Sequence, residues 1–188
     1  MDGAAPDIPG LSLRWQALRL DRRACLFGKI GYDVNRNHFG SRGEAWVLIQ
    51  VLLFALFLLA PHVGPAWPAP MMFRIAGAIA VLVGIVVIGI SAVALGKSLT
   101  PFPRPLPTAE LVTSGAYRFV RHPIYFGLLL AALGFALLTL SPLRLVLTLL
   151  MGIFFNCKAT REEKWLVERY PGYPAYQARV RRLVPFLY

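Results

Sequence analysis

The sequence predicts an all-α integral membrane protein with about four transmembrane helices. Three observations carry that prediction. Hydrophobic residues make up 57% of the 188, with a mean hydropathy of +0.58. Charged residues are only 15%, and they lie between the apolar runs rather than within them, as membrane spans require. Eighteen of the 20 Lys and Arg residues fall in three stretches, 1–43, 97–123 and 158–188. The positive-inside rule places those stretches on one face, giving a multi-pass chain with both termini cytoplasmic.

The net charge of +11 raises nucleic acid as a partner. No zinc-ligand set or RNA-binding aromatic signature accompanies it, so attraction to anionic membrane lipids accounts for it better. Cys25 and Cys157 have neither the number nor the spacing of a disulfide framework or a metal site.

Residues 1–43 hold no span. Over 11–27, Leu11, Trp15, Leu18 and Leu26 fall near one stripe with Arg14, Arg19, Arg22 and Arg23 interleaved, the pattern of an amphipathic helix lying on the membrane surface. The first apolar run begins at Ala45 without a small-residue cleavage site, which argues against a cleaved signal peptide. Residues 45–60 read as the first span, ended by Pro61. The connection 61–70 is uncharged and rich in proline, a tight turn on the far side. Residues 73–96 form the second span, where Gly77, Gly84, Gly89 and Gly96 permit close helix contact. Residues 124–140 form the third, and Ser141-Pro142 turns sharply into the fourth, 143–157. Arg144, at the end of that span, is expected to snorkel to the interface.

Between spans two and three, prolines at 101, 103, 105 and 107 alternate and favour an extended course. That stretch reads equally as a stiff linker or as a strap over a pocket. Leu111-Val112 reads as a short extended piece, and Thr113-Ser114-Gly115 as a turn. The chain then enters G-A-Y-R-F-V-R-H-P-I-Y-F-G. Pro123 suits the first position of a helix, placing His122 at the N-cap and the positive end of the helix dipole. Tyr125 lies about one turn on, and so near His122. After span four no breaker occurs before Pro171, so the helix continues, with Lys158, Glu162 and Leu166 spaced four apart on one face. Exposed i,i+4 pairing is the commoner meaning of such spacing. Against it, Glu162 and Glu163 emerge from a membrane helix beside the loop bearing Arg118 and Arg121. The tail mixes tyrosines with arginines, an interfacial signature.

The succession L-V-T-S-G-A-Y-R-F-V-R-H-P-I-Y-F-G, then R-E-E-K-W-L, then Y-P-A-Y-Q-A-R-V and a proline resembles the isoprenylcysteine carboxyl methyltransferase family, which is related to the phospholipid methyltransferases. The likeness covers residues 97–188. It implies an S-adenosylmethionine-dependent membrane methyltransferase whose cytosolic cofactor pocket is formed by the loop before span three and the C-terminal region. Carried over residue by residue, the cofactor lies against Glu110, Leu111, Val112, Tyr117, His122, Pro123, Ile124, Tyr125 and Glu162. Relatives usually carry an arginine for the substrate carboxylate one turn before that glutamate; here the position is Lys158. The chain then divides into a cytosolic segment 1–43, spans one and two in 44–96, and a methyltransferase core in 97–188.

Methyl transfer from a sulfonium is an in-line displacement and needs alignment above all. For a lipophilic acceptor bearing a carboxylate, Arg121 or Lys158 would hold the anion. An amine acceptor, as in phospholipid N-methylation, would need a base, with Glu163 or Tyr117 the candidates. Catalytic roles are therefore expected of Arg121, Lys158 and Glu163. Two further classes stay open: a nicotinamide-dependent membrane reductase, and a non-enzymatic transporter or scaffold. Apart from Arg74 at the edge of span two, spans one and two hold no ionisable residue, and the chain has no internal repeat, which argues against transport.

Overall fold

The computed structural model describes residues 43–61, 67–105 and 108–185. The expected surface helix over 11–27, the rest of the segment 1–42, residues 62–66 and Pro107 lie outside them. Among the described residues there are five α-helices: α1 (Glu44–Leu59), α2 (Pro70–Leu95), α3 (Pro123–Leu138), α4 (Pro142–Arg169) and α5 (Tyr173–Arg179). Two 3-10 turns, Gly96–Ser98 and Gly115–Arg118, flank the proline-rich segment. No strand occurs among the described residues; Val120 and Arg181 form one isolated parallel bridge.

Proline sets three of the starts. Pro70, Pro123 and Pro142 each stand at the first position of α2, α3 and α4, where the missing N–H is not needed and the fixed φ is already helical. At α4 the Ser141 hydroxyl also accepts from the Arg144 amide at 3.4 Å, an N-cap contact. The chain reverses between α3 and α4 within three residues, and Leu140 takes a left-handed φ of 51° to do so.

The two long helices, α2 and α4, have 26 and 28 residues. At about 1.5 Å per residue each spans roughly 40 Å, and both carry stretches apolar enough to cross a bilayer. The other two apolar helices, α1 and α3, have 16 residues each, close to the short end of what a bilayer needs. Their surfaces are apolar as well. Leu59 and Val93 are each 82% exposed, and Leu52, Ile79, Leu149 and Ile153 are also open. A bilayer would cover such a surface; water would not favour it.

Glycine makes the tightest contact. A Cβ on Gly77 would fall 2.6 Å from the Gly134 carbonyl, and one on Gly84 would fall 2.7 Å from the Gly127 carbonyl. Two pairs, each seven residues apart on its own helix, therefore let α2 and α3 meet backbone to backbone. The expectation for the other two glycines needs correcting. Gly89 faces open space, and Gly96 ends α2 at a positive φ of 50°. The main apolar core joins α1, α3 and α4 through Phe57, Ala132, Met151 and Phe155.

Arg144 does not snorkel outward. Its Nε donates to the Phe57 carbonyl at 3.3 Å and its Nη2 to the Ala60 carbonyl at 2.9 Å. Those are carbonyls at the C-terminal end of α1 that the helix cannot itself satisfy, and a cation there also suits the negative end of its dipole. The guanidinium rests 5.2 Å from the centre of the Phe135 ring.

Candidate active site

His122 is the N-cap of α3. Its backbone is pinned by the returning tail: Arg121 N–H donates to the Arg181 carbonyl at 2.8 Å, and His122 N–H to the Arg182 carbonyl at 3.0 Å. The imidazole is buried and lies between two consecutive glutamates of α4. Nδ1 is 3.4 Å from Glu162, and Nε2 is 3.1 Å from Glu163. Neighbouring helical residues point about 100° apart, so one carboxylate turns toward a cavity and the other away from it. The His122 ring stacks on Tyr125 at 5.4 Å, and Tyr125 stacks on Phe155 at 4.7 Å. The Tyr125 hydroxyl donates to Glu162 at 2.5 Å.

Glu163 is the more enclosed of the pair, 3% exposed. One oxygen faces Arg121 Nε at 3.3 Å and His122; the other accepts from Gln177 Nε2 and Arg182 Nη2, each at 3.0 Å. Burial pushes its carboxyl up, but His122, Arg121 and Arg182 outweigh that and hold it below its ordinary value. For His122, burial alone would lower the imidazole, yet the hydrogen bonds and charges of Glu162 and Glu163 keep it above its ordinary value. Both shifts favour the charged forms of His122 and Glu163.

The cavity in front of Glu162 has a volume of about 450 Å³. The proline-rich segment forms one wall through Pro101, Pro103 and Pro105, followed by Glu110, Leu111 and Val112. Ile124, Tyr125 and Leu128 of α3, Lys158, Glu162 and Leu166 of α4, and Tyr117, Tyr170, Tyr173 and Tyr176 complete it. That settles the two readings of the prolines in favour of a strap over a pocket. The two ends of the strap meet where Glu110 N–H donates to Ser98 Oγ at 3.3 Å, and the second end is tied down by Tyr170 Oη, which donates to the Ala109 carbonyl at 2.6 Å. Leu111-Val112 has no strand partner. Lys158 is 1% exposed, and its Nζ donates to Gln50 Oε1 at 2.6 Å and to the Pro101 carbonyl at 3.0 Å. The ammonium also lies 5.4 Å from the Tyr125 ring centre.

Ten of the twelve residues singled out in the sequence line this cavity: Glu110, Leu111, Val112, Tyr117, Arg121, His122, Ile124, Tyr125, Lys158 and Glu162. Two do not. Pro123 is buried at the start of α3 and shapes the helix. Glu163, expected to take a proton from an acceptor, stands behind His122 and outside the cavity lining, where it meets Arg121, His122, Gln177 and Arg182. Tyr173 and Tyr176 are buried, and Tyr176 Oη donates to the Tyr117 carbonyl at 2.5 Å. Burial, with the Glu163 charge, pushes the Tyr176 phenol up to about 12. Gln50, Gln177 and Arg182 were not legible as site residues, because each meets its partner only through the fold.

A profile of the phospholipid methyltransferase family matches residues 72–172. Probable protein-S-isoprenylcysteine O-methyltransferases of the indica and japonica subspecies of Oryza sativa are 31% identical over 134 residues, 69% of this chain and 68% of theirs. The protein-S-isoprenylcysteine O-methyltransferase of Saccharomyces cerevisiae is 38% identical over 79 residues, 41% of this chain and 33% of its own length. Among solved structures, a eukaryotic intramembrane Ras methyltransferase, isoprenylcysteine carboxyl methyltransferase, matches with a TM-score of 0.60 at 22% identity. That match covers 83% of this chain and 55% of the other, a likeness of fold over little more than half of the larger protein. The chain belongs to the isoprenylcysteine carboxyl methyltransferase family, the integral membrane methyltransferases to which its RHP and EE motifs first pointed.

Proposed function

We propose that this chain transfers a methyl group from S-adenosylmethionine to the carboxylate of a prenylcysteine-like or similar acidic amphiphile at the membrane interface. The observation that carries this reading is Lys158, a buried ammonium on the wall of the cavity one turn from Glu162. Two of its three N–H groups are placed by neutral acceptors, so one remains for an anion. Glu162, the carboxylate whose charge acts on Lys158, is shared with Tyr125 and His122, so an acidic acceptor would add a second counter-charge. A buried cation short of counter-charge is unfavourable, and an acidic acceptor supplies it.

The residues present fit the cofactor. A 450 Å³ cavity suits a small nucleoside-containing molecule. Tyrosine faces and the apolar strap can hold a purine, and the Glu162 carboxylate can hold a cationic group. When bound, S-adenosylmethionine supplies a methyl carried on a sulfonium. Lys158 orients the acceptor carboxylate, assisted by Arg121, whose planar fork suits a carboxylate. An acceptor that arrives ionised needs no base. The phospholipid N-methyltransferase alternative does need one, and with Glu163 enclosed the cavity offers Glu110, Glu162 and Tyr117. Burial raises the Tyr117 phenol well above its ordinary value, which keeps it protonated and makes it a poor acceptor.

Calorimetric titration of the detergent-purified protein should show binding of S-adenosylmethionine and none of nicotinamide dinucleotides, weakened by Glu162→Ala. With a farnesylated cysteine as acceptor, Lys158→Ala should cut turnover about a hundredfold, on the order of 2–3 kcal/mol, and leave cofactor affinity unchanged. Turnover that survives Lys158→Ala while cofactor binding is lost would move Lys158 into the cofactor site and remove the case for an acidic acceptor.

The topology belongs to the same proposal. α1 to α4 are four spans, with both termini and the strap on the cytoplasmic side and the catalytic core in 97–188. Support comes from the placing of 18 of the 20 basic residues. With Cys25 and Cys157 replaced by Ser, a cysteine introduced at Trp67 should react with an impermeant maleimide from the side opposite to one at Arg104. Labelling from the same side refutes the arrangement.

A further inference from the structure

A second concavity, of about 380 Å³, lies behind the ion-pair cluster and is lined by Arg121, Gln177, Arg179, Arg181 and Arg182, with the backbone of 178–182. Four arginines line it; Glu163 meets two of them, Arg121 and Arg182, and Arg182 Nη1 also donates to Asn156 Oδ1 at 3.3 Å and Thr160 Oγ1 at 3.0 Å. The other two, Arg179 and Arg181, are exposed, and Arg179 Nε donates to the Ala175 carbonyl at 3.1 Å. The cluster therefore carries an excess of positive charge in a depression, where a field acts over a wider range of directions than on a flat surface.

The site is built rather than draped. Arg121 N–H and His122 N–H pair with the carbonyls of Arg181 and Arg182, fixing the backbone that bears the arginines. Arg121 is 8% exposed at its side chain and hydrogen-bonds the Gln177 carbonyl at 3.4 Å. Guanidinium forks in such an array match the tetrahedral oxygens of phosphate better than a lone ammonium would. Arg121 also immediately precedes the N-cap of α3, so the concavity opens level with the end of an apolar helix, where headgroups would lie.

We propose that this concavity is a phosphate-binding site, separate from the cofactor cavity and sharing only Arg121 with it, that takes the phosphate of an anionic lipid headgroup. The same chemistry admits free phosphate, and the test separates the two sources. It does not depend on the methyl acceptor or on the cofactor.

The full chain, purified in a neutral detergent, is followed by thermal unfolding and native mass spectrometry. One arm adds phosphatidylglycerol or, as control, phosphatidylcholine in mixed micelles. The other replaces chloride by inorganic phosphate at equal ionic strength. Phosphatidylglycerol should remain bound and raise the unfolding temperature, with phosphatidylcholine and inorganic phosphate giving smaller effects. Equal protection by inorganic phosphate keeps the site and assigns it to the free anion. The pair Arg179→Gln and Arg181→Gln, both exposed and outside the cofactor cavity, should lower the bound fraction at least tenfold with no change in ligand-free unfolding. Arg161→Gln with Lys164→Gln, an equal loss of charge on the exposed face of α4, should leave it within twofold. Equal losses in the two variants, or no binding of either anion, overturn the proposal.

Discussion

Glu163→Ala is expected to destabilise the protein by on the order of 3–5 kcal/mol, the loss seen when one member of a buried ion pair is removed. The size follows from what is left behind. Arg121 and Arg182 would lose their shared carboxylate at a site 3% exposed, His122 would keep only Glu162, and Gln177 would lose an acceptor. Chemical unfolding in detergent measures this directly, and a loss below about 1 kcal/mol would mean that the cluster is dispensable. The same cluster sets a pH dependence. Glu163 has its folded value held below 4.5, so its contribution is complete above 4.5 and is lost as pH falls through the folded value. His122 has its folded value raised above 6.5, so its contribution is complete below 6.5 and is lost as pH rises through the folded value. Stability from this pair is therefore greatest between about 4.5 and 6.5; the Ala variant should lose the acid limb and keep a smaller His122 limb, because Glu162 also holds the imidazole up.

Gly134→Leu should be comparably damaging. A Cβ at position 134 would stand 2.6 Å from both the Gly77 carbonyl oxygen and the Val81 amide nitrogen. Those are backbone atoms of α2 and cannot rotate aside as a flexible side chain could. The helices must separate along their whole contact, and overpacking of this kind costs about 3 kcal/mol or more. Gly89→Leu provides the comparison, since a side chain there meets nothing within 4 Å. Unfolding of both variants in detergent, with folded yield as a second readout, should show a large loss for the first and none for the second. A Gly134→Leu protein as stable as Gly89→Leu would show that the close approach is not required.

Helix ends and helix faces were legible because both are local. Pro70, Pro123 and Pro142 announce the starts of α2, α3 and α4, and spacing alone puts Lys158, Glu162 and Leu166 on one face. The motifs around His122 and Glu162 named the cavity for the same reason. What the sequence concealed is long-range. Lys158 and Gln50 are 108 residues apart, and Arg144 and the Ala60 carbonyl 84. A rule about arginine near a membrane end could foresee snorkelling but not that α1 would offer its terminal carbonyls. Glycines in α2 were visible, but which of them meet α3 depends on Gly127 and Gly134 arriving opposite. The composition of the tail shows tyrosines and arginines but not that the chain folds back onto Tyr117 and Glu163.

That return of the tail orders events during synthesis. Glu163 is made before residues 177–182, yet two of its four partners, Gln177 and Arg182, come from there. When the end of α4 leaves the ribosome, Arg121 and His122 are already present, and they alone can compensate the new carboxylate. The second oxygen of Glu163 waits for the tail, as do the carbonyls that fix the backbone of Arg121 and His122. The cavity also lacks two of its walls until Tyr173 and Tyr176 are made. Completion of the cavity is thus a later step than synthesis of the four apolar helices, and a nascent chain stalled before position 173 would hold those helices with the cavity still open on that side.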